Sequence, residues 1–522
     1  MNILVIRTHR LGDVLQLTPM LTGLKRKYPG CRITFLTGAD MVELLAGNPD
    51  IDEIVSIPEK EFRWYLKNKP EKHTIVHNRM HELISGLQEK KFDLIINRQY
   101  EEGSVIAGLA GAGEIHGGVF RPEHGFVFED VVSQELFNTI RTDRSQNQRN
   151  LVDWSCLIAG VPAGCAGMTL YPSEMDRWEA EGLLDEAGAG NPDSLVAVQM
   201  GAARSFRQWG VEKYASVVKW LVNEKGRKVV LLGSSDEIDL VQGLQQDLTT
   251  ENGYIIDLVG KTSLKVLGAV LDSCEYLITG DTGTMHVAAA VGTPVISLFY
   301  GTAYPWETGP YGTGNLVLYA DEPCAPCLKP ETCAFGHKCR KAITSEHVCR
   351  AFEIAEKLKE NDFDSPGWEE EAVRLFVALA RPGHDQVLIP INEVNSMRTE
   401  FGSLSPERAK RQLDSKAVLE SGLKALIEKG ESLIETFHRG DRGEFLEALP
   451  GYFDKWGKSV EFLNSKESNY DHVEILRHIA PILNEACRAM EAGDYVTIVD
   501  LIHFEFRTIL ESGIQAIKKE QD

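Results

Sequence analysis

The sequence predicts two α/β domains with parallel sheets facing a shared cleft, followed by an all-α region. Three observations carry that expectation. Short, nearly continuous apolar runs alternate with helix-length segments, the pattern of strands covered on both faces. The series halts in a Gly-, Pro- and Ala-rich stretch and begins afresh with a new apolar strand. Beyond about residue 365 the apolar rhythm changes to one close to 3.6 residues. A chain of 522 residues is also well past the size at which one hydrophobic core divides.

The elements follow in order. NILVIR (2–7) is a buried strand, and LGD opens a helix over 13–27 that Tyr28, Pro29 and Gly30 close. RITFLT (32–37), EIVSI (53–57), FDLIIN (92–97) and IHGGVF (115–120) continue the first domain, which spans 1–160. Residues 161–193, with GVPAGCAG and EAGAGNPDS, form a linker holding one short helix. The second domain, 194–364, contains strands LVAVQM (195–200), KVVLLG (228–233), IIDLVG (255–260), YLITG (276–280) and PVISLFY (294–300). Residues 365–522 are expected to be helical, with segments at 405–429, 430–440, 455–465, 471–491 and 494–518.

Charge and composition narrow the function. Lys and Arg number 55 against 77 Asp and Glu, a formal net charge of -22. That balance disfavours a chain built to coat nucleic acid, although it leaves room for a basic pocket. No run approaches the roughly 18 apolar residues of a membrane-spanning helix. The N-terminus reads as a strand rather than an export signal, so a cytoplasmic setting and reduced cysteines are expected.

Three turns that follow strands carry the candidate chemistry. In THRLGD (8–13), Gly12 lets the backbone approach a ligand, and Arg7, His9 and Arg10 are anion donors. Asp13 is either the cap of the helix or a carboxylate base facing the cleft. In GDTGTMH (280–286), a helix start with the Thr282 and Thr284 hydroxyls makes an anion-binding nest around Gly283. Asp281 there is either an N-cap or a partner for sugar hydroxyls, and His286 is either a phosphate contact or a core histidine. In GAARSFRQW (201–209), Arg204 and Arg207 suit phosphate, or else lie solvated in a loop. The first turn lacks the Gly-x-Gly-x-x-Gly dinucleotide signature, which weakens an oxidoreductase reading.

Taken together, ILVIRTHRLGDVLQLTPML, GAARSFRQW and YLITGDTGTMHVAAAVGTPVISLFYGT resemble the bacterial heptosyltransferases of glycosyltransferase family 9, over about residues 1–360. The resemblance implies a GT-B-like pair of Rossmann-like domains, with a final helix near 345–360 returning towards the first domain. It implies an inverting, metal-independent transfer of a sugar, heptose from ADP-heptose, to a hydroxyl of a lipopolysaccharide-core or related glycan acceptor. Asp13 takes the place of the proposed base. Asp281, Thr282, Gly283, Thr284 and His286 fall in the nucleotide-sugar loop. Arg207 stands where the lipopolysaccharide enzymes often carry a diphosphate-contacting lysine, so the charge is kept and its geometry changed. Gly12 and Arg204 complete the donor-side set, and closure of the two domains would exclude water. The family's acceptor is a membrane glycolipid, so peripheral contact with the inner face of the plasma membrane is a further expectation.

Four of the ten cysteines, Cys324, Cys327, Cys333 and Cys339, are spaced for a structural zinc site, for reduced thiols or for redox chemistry. No catalytic metal and no required cofactor beyond the nucleotide-sugar donor is implied. Two other functions remain open at this point: a nucleotide-sugar epimerase or hydrolase on the same fold, and a non-catalytic scaffold working through the helical region. That region is a candidate for self-association or for a protein partner.

Overall fold

The computed structural model describes residues 1–397 except 101, 143, 190–193, 203, 248–253, 328–331, 361–367, 369–371 and 382. It also describes 427, 430–439, 445, 448–449, 452, 488–489 and 495–507. The chain divides into two compact units. One comprises Met1–Tyr171 with Asn191–Arg408, the other Pro172–Gly190 with Ala409–Asp522.

The larger unit holds two sheets. The first is built from β1 (Asn2–Ile6), β2 (Arg32–Gly38), β3 (Glu53–Ile57), β4 (Phe92–Asn97), β5 (Ala112–Arg121) and β6 (Gly125–Phe128) in the order β3-β2-β1-β4-β5-β6. All pair in parallel except β6 on β5. The order reverses between β1 and β4, and a crevice opens at the carboxyl ends of strands where such a reversal occurs. The helices that cover this sheet include α1 (Leu11–Leu15), α2 (Thr18–Lys27), α3 (Val42–Leu45), α4 (Glu59–Asn68), α5 (His73–Glu89), α6 (Glu102–Ala110), α7 (Val131–Thr142) and α8 (Leu151–Ile158).

The second sheet comprises β7 (Leu195–Gln199), β8 (Lys228–Leu232), β9 (Ile255–Asp257), β10 (Tyr276–Gly280), β11 (Val295–Phe299), β12 (Leu316–Ala320), β13 (Val373–Leu379) and β14 (Val387–Pro390). Its order is β14-β13-β12-β11-β10-β7-β8-β9, with the reversal between β7 and β10. Helix α9 (Glu174–Glu186) belongs to the smaller unit. The larger unit continues with α10 (Val211–Asn223), α11 (Ile238–Asp247), α12 (Leu264–Asp272), α13 (Gly283–Val291), α14 (Pro305–Thr308), α15 (Lys338–Ala342) and α16 (Ser345–Lys359).

Strands β7, β10, β11 and β12 are buried at every position, as strands with helices on both faces must be. On α10, Tyr214, Val217, Val218 and Leu221 fall at i, i+3, i+4 and i+7 and all are buried. Each such side chain contributes about 1.5–3 kcal/mol of transfer free energy.

Two expectations need correction. The second sheet does not stop by residue 364, because β13 and β14 extend it antiparallel from β12. The apolar run VRLFVAL satisfies the open edge of β12, which a helix there could not do. Helix α16 packs on α10, β11 and β12, burying Val348, Phe352 and Ala355 in the core of the second sheet rather than returning to the first domain. In the smaller unit, described residues beyond 426 are helical, with Phe445 touching Phe437 and Tyr495. The helices expected at 405–429, 455–465 and 471–491 lie almost wholly outside the described residues, as does 508–518 of the last one. No helix among the described residues is long and apolar enough to cross a membrane.

The two halves of the larger unit are joined by buried polar contacts. Asp153 on α8 accepts from Tyr311 Oη at 2.6 Å, the Gln386 amide at 2.9 Å and the Gly164 amide at 3.2 Å. Burial pushes its carboxyl above the usual range, opposed by those donors. Arg149 reaches Asp385 at 2.9 Å, and Lys265 Nζ donates to the Ala46 carbonyl at 2.7 Å. Asp153→Ala orphans the Tyr311 hydroxyl and the Gln386 amide. Denaturant unfolding is expected to show a loss of about 1–3 kcal/mol for each group left unsatisfied, whereas Asp385→Ala, at a more exposed pair, costs less.

Candidate active site

Loops that leave the carboxyl ends of adjacent strands converge, and each sheet places its reversal at such an edge. In the first half, β1 ends at Ile6 and α1 begins five residues later. Arg10 precedes α1 at φ 67, a left-handed conformation that costs a non-glycine residue energy and here lies at the mouth of the crevice. Asp13 sits in the first turn of α1, where the helix start favours its charge. Its Oδ2 pairs with the Arg7 guanidinium, whose other nitrogen donates to the Arg98 carbonyl. Burial, with Arg98 and Arg10 nearby, pushes Arg7 down to about 9, so it remains the counter-ion of Asp13 at neutral pH. Asp13 makes no cap hydrogen bond of its own, because the N-cap position belongs to Arg10.

In the second half, the loop after β7 and the loop after β10 are neighbours, because those strands pair directly. Arg207 Nη1 lies 3.3 Å from Asp281 Oδ2, and its Nε donates to Thr302 Oγ1 at 3.1 Å. Tyr300 fixes the same loop by donating to the Arg207 carbonyl at 2.7 Å. Burial raises the Asp281 carboxyl above its ordinary range, with Arg207 and then Arg144 opposing that rise. Thr282 is the N-cap of α13, yet its hydroxyl faces Thr279 Oγ1 at 3.1 Å and caps nothing. The start of α13 is therefore left without a side-chain cap, the arrangement that suits an anion. Thr284 is buried in the first turn, and Arg204 is exposed, its carbonyl accepting from the Arg207 amide.

The two halves meet at these helix starts. A Cβ at Gly12 would lie 2.4 Å from His286 Cδ2, and one at Gly283 would lie 3.2 Å from Leu11. Gly12 thus serves close helix approach as well as backbone access. His286 is 6 % exposed, its Nδ1 has no hydrogen-bond partner, and burial pushes its imidazole down to about 4. It is a neutral ring wedged between the halves.

Sequence reasoning missed several participants. Arg144 forks onto Glu307 with both contacts at 3.0 Å and reaches the Thr302 carbonyl, tying the first half to the donor-side loop. The pair is separated by 163 residues, so no local pattern could announce it. Gln99, which lies 3.2 Å from His9 Nδ1, was equally silent.

The cysteine expectation changes. No group of three or more His, Cys, Asp or Glu among the described residues could hold a metal ion. Cys333 Sγ accepts the His337 amide at 3.3 Å, and Cys324 is exposed. Cys339 is buried in the core of the second sheet, where burial raises its thiol and disfavours the thiolate a metal needs. Cys327 instead ties its loop to the site, its amide donating to the Gly301 carbonyl at 2.7 Å.

Comparison with known proteins gives a consistent result. Residues 80–339 match the model of glycosyltransferase family 9 (heptosyltransferase). Lipopolysaccharide heptosyltransferase 3 of Escherichia coli is 29% identical over 307 residues, covering 57% of this chain and 84% of that one. Lipopolysaccharide heptosyltransferase 1 of Pseudomonas aeruginosa is 26% identical over 345 residues, 64% and 88% of the two chains. The chain carries a heptosyltransferase-family domain. Among solved structures, a family 9 glycosyl transferase from Veillonella parvula aligns with TM-score 0.55 at 25% identity, over 68% of this chain and 96% of that one. The Escherichia coli heptosyltransferase II structure aligns with TM-score 0.51 at 21% identity, over 69% and 100%, and shares the fold. The expected GT-B-like arrangement of two sheets and the glycosyltransferase class both hold. The segment matched by the family model contains Arg207 and the 281–286 loop, while Asp13 precedes it.

Gly12→Ala should force His286 off α1, costing about 1–3 kcal/mol as overpacking does and weakening nucleotide-sugar binding in calorimetric titration. Adding His286→Ala should restore part of the stability, since it empties the space that the new methyl needs. Because the folded state holds His286 near 4 and the unfolded chain near 6.5, the unfolded chain binds the extra proton. Stability is expected to fall as pH drops from about 6.5 to 4, by at most about 1.4 kcal/mol per pH unit. A His286→Phe chain should show a shallower decline in thermal melts across that window.

Proposed function

We propose that this enzyme transfers heptose from ADP-heptose to a hydroxyl of a lipopolysaccharide-core or related cell-envelope glycan, with inversion at the anomeric carbon. The observation that carries the reading is the abutment of α1 on α13. It sets a carboxylate in the first turn of one helix beside the uncapped start of the other. The names of the relatives, lipopolysaccharide heptosyltransferases, support the donor and acceptor class.

In this reading the diphosphate lies at the start of α13 against Gly283 and Thr284, with Arg207 and the exposed Arg204 supplying charge. Asp281 holds Arg207 in place and is available to donor hydroxyls. Asp13, kept ionised by Arg7, accepts the proton of the acceptor hydroxyl as its oxygen forms the new bond to the anomeric carbon. The bond from that carbon to the departing phosphate oxygen breaks in the same displacement, which inverts the centre. Charge that develops on the nucleoside diphosphate is met by the guanidiniums and helix dipole already aimed at it, so the step is written without a metal ion. Neutral His286 fills space that water would otherwise occupy, the competing acceptor being excluded. Action at the cytoplasmic face of the plasma membrane, where such an acceptor is built, is part of the proposal.

Incubating the protein with ADP-heptose and a heptose-deficient core acceptor should release ADP and give a product of inverted configuration by NMR. Asp13→Asn should lower kcat by about 10²–10⁴-fold, the usual contribution of a general base, with donor affinity retained. Absence of binding to any nucleotide sugar, or undiminished turnover by Asp13→Asn, would overturn the assignment.

A further inference from the structure

Strand β5 is longer than its neighbour. Its pairing with β4 ends at Asn97 opposite Gly117, the carboxyl edge of the first sheet. From Gly118 to Arg121 it runs on beyond that edge, and β6 folds back on the overhang, pairing Gly118 with Phe128 and Phe120 with Phe126. Side chains alternate across a strand pair, so 126 and 128 share one face with the empty position at Gly118. The Phe126 ring fills that position, for a Cβ at Gly118 would come within 2.5 Å of it.

Tyr100, from the loop after β4, and Phe137, from α7, complete a group of four rings. Phe128 lies 5.0 Å from both Phe126 and Phe137, and Tyr100 lies 6.0 Å from Phe137, centroid to centroid. Asp130 anchors the base of the overhang, accepting the Gly117 and Ser133 amides at 2.7 Å each. The group is not sealed: Tyr100 is 39 % and Phe126 40 % exposed. A set of rings needed only as a small core would be covered more fully.

The position of these rings gives them a role. They overhang the carboxyl edge from which Asp13 also faces the crevice, and Tyr100 is near enough to Arg7 and Arg98 to affect both guanidiniums. Arg7 binds Asp13 on one side and the Arg98 carbonyl, two residues before Tyr100, on the other. His9, whose side chain is 38 % exposed, is hydrogen-bonded to Gln99, the residue before Tyr100, and adds a polar group on the same edge. The charged donor-side residues Arg204, Arg207 and Asp281 come from the second half, which leaves the first half as the acceptor's approach to Asp13.

We propose that the overhanging aromatic face of Tyr100, Phe126, Phe128 and Phe137 is an acceptor subsite that stacks the apolar face of a pyranose ring beside Asp13. The proposal rests on the reading of Asp13 as the base. A sugar ring offers a flat C–H face bordered by hydroxyls, and an open aromatic face that carries the exposed Tyr100 hydroxyl, with the His9 imidazole on the same edge, matches both parts. A lipid chain would have no use for the polar border.

The test uses the full-length protein and two acceptors, a deacylated core oligosaccharide and the intact lipid-linked form. Variants are Phe126→Ala, Phe126→Leu and Gly118→Ala, the last shifting the ring without removing it, each checked by thermal melting. KM for both acceptors should rise about tenfold, the loss of a single stacking contact, while ADP release in the absence of acceptor stays unchanged. Saturation-transfer NMR of the deacylated oligosaccharide should show the same loss of contact without needing turnover. A rise confined to the lipid-linked acceptor would overturn the proposal in favour of a lipid-reading surface. Unchanged KM and NMR signals in folded variants would reduce the rings to packing. If the unsubstituted chain binds the oligosaccharide through these rings yet transfers nothing, the subsite stands and the transferase reading fails.

Discussion

The contact between Gly12 and His286 is the constraint around which the larger unit is organised. Two helices begin there, one from each half, and each start carries the positive end of a helix dipole. Two such ends brought together repel unless negative charge intervenes. Asp13 supplies it for α1 from within the first turn. Nothing in the side chain of Thr282 does so for α13. The second compensating charge is thus left open to a ligand, and in the proposed reaction the donor's diphosphate would supply it. A methyl group at residue 12 would separate the helices and dissolve this arrangement, which explains a glycine in the first turn of a helix despite its cost of about 1 kcal/mol there.

Around this contact a strongly acidic chain concentrates its guanidiniums. Arg7 is matched with Asp13, Arg144 with Glu307 and Arg207 with Asp281. Pairs of this kind contribute little net stability once desolvation is counted, but removing one partner from a buried pair is costly. Their value is in fixing orientation before a substrate arrives. Burial disfavours the charged form of Asp281, and Arg207 opposes that effect. The cysteine-bearing loop joins this framework by a backbone hydrogen bond from Cys327 to Gly301.

What could be read in advance follows from how local each signal is. Fully apolar strands such as LVAVQ and VISLF announce themselves, and a turn after a strand places Asp13, Arg207 and the 281–286 loop at a carboxyl edge. That Asp13 is not the cap could not be read from spacing, since it depends on Arg10 occupying the cap position and on Arg7 reaching across. His286 was balanced between phosphate contact and core, and only its burial against Gly12 makes it a wedge. The run VRLFVAL was apolar in plain view, but the helical rhythm of the residues after it concealed that β12 still had an open edge. Glu307 follows a strand and so was placed at the cleft, but Arg144 carried no signal because their meeting depends on the packing of both halves. The cysteine spacing left a metal site, reduced thiols and redox chemistry open, because spacing alone does not reveal that Cys339 is buried in a core and Cys324 exposed.

The same cross-contacts bear on how the cleft operates. Separating the halves widely would break the fork of Arg144 on Glu307, the Asp153 bonds to Tyr311 and Gln386, and the Lys265 bond to Ala46. The buried bonds to the Asp153 carboxylate contribute about 1.5–3 kcal/mol each, comparable with the few kcal/mol that separate a protein's accessible conformations. A wide opening is therefore scarcely populated, and the site is largely built before the donor enters. In the proposed reaction, water exclusion would then depend less on closure of whole domains than on small movements of side chains such as Arg204. This moves the expected conformational step from the domain scale to the loop scale, where Arg204 is exposed and free to follow the phosphate.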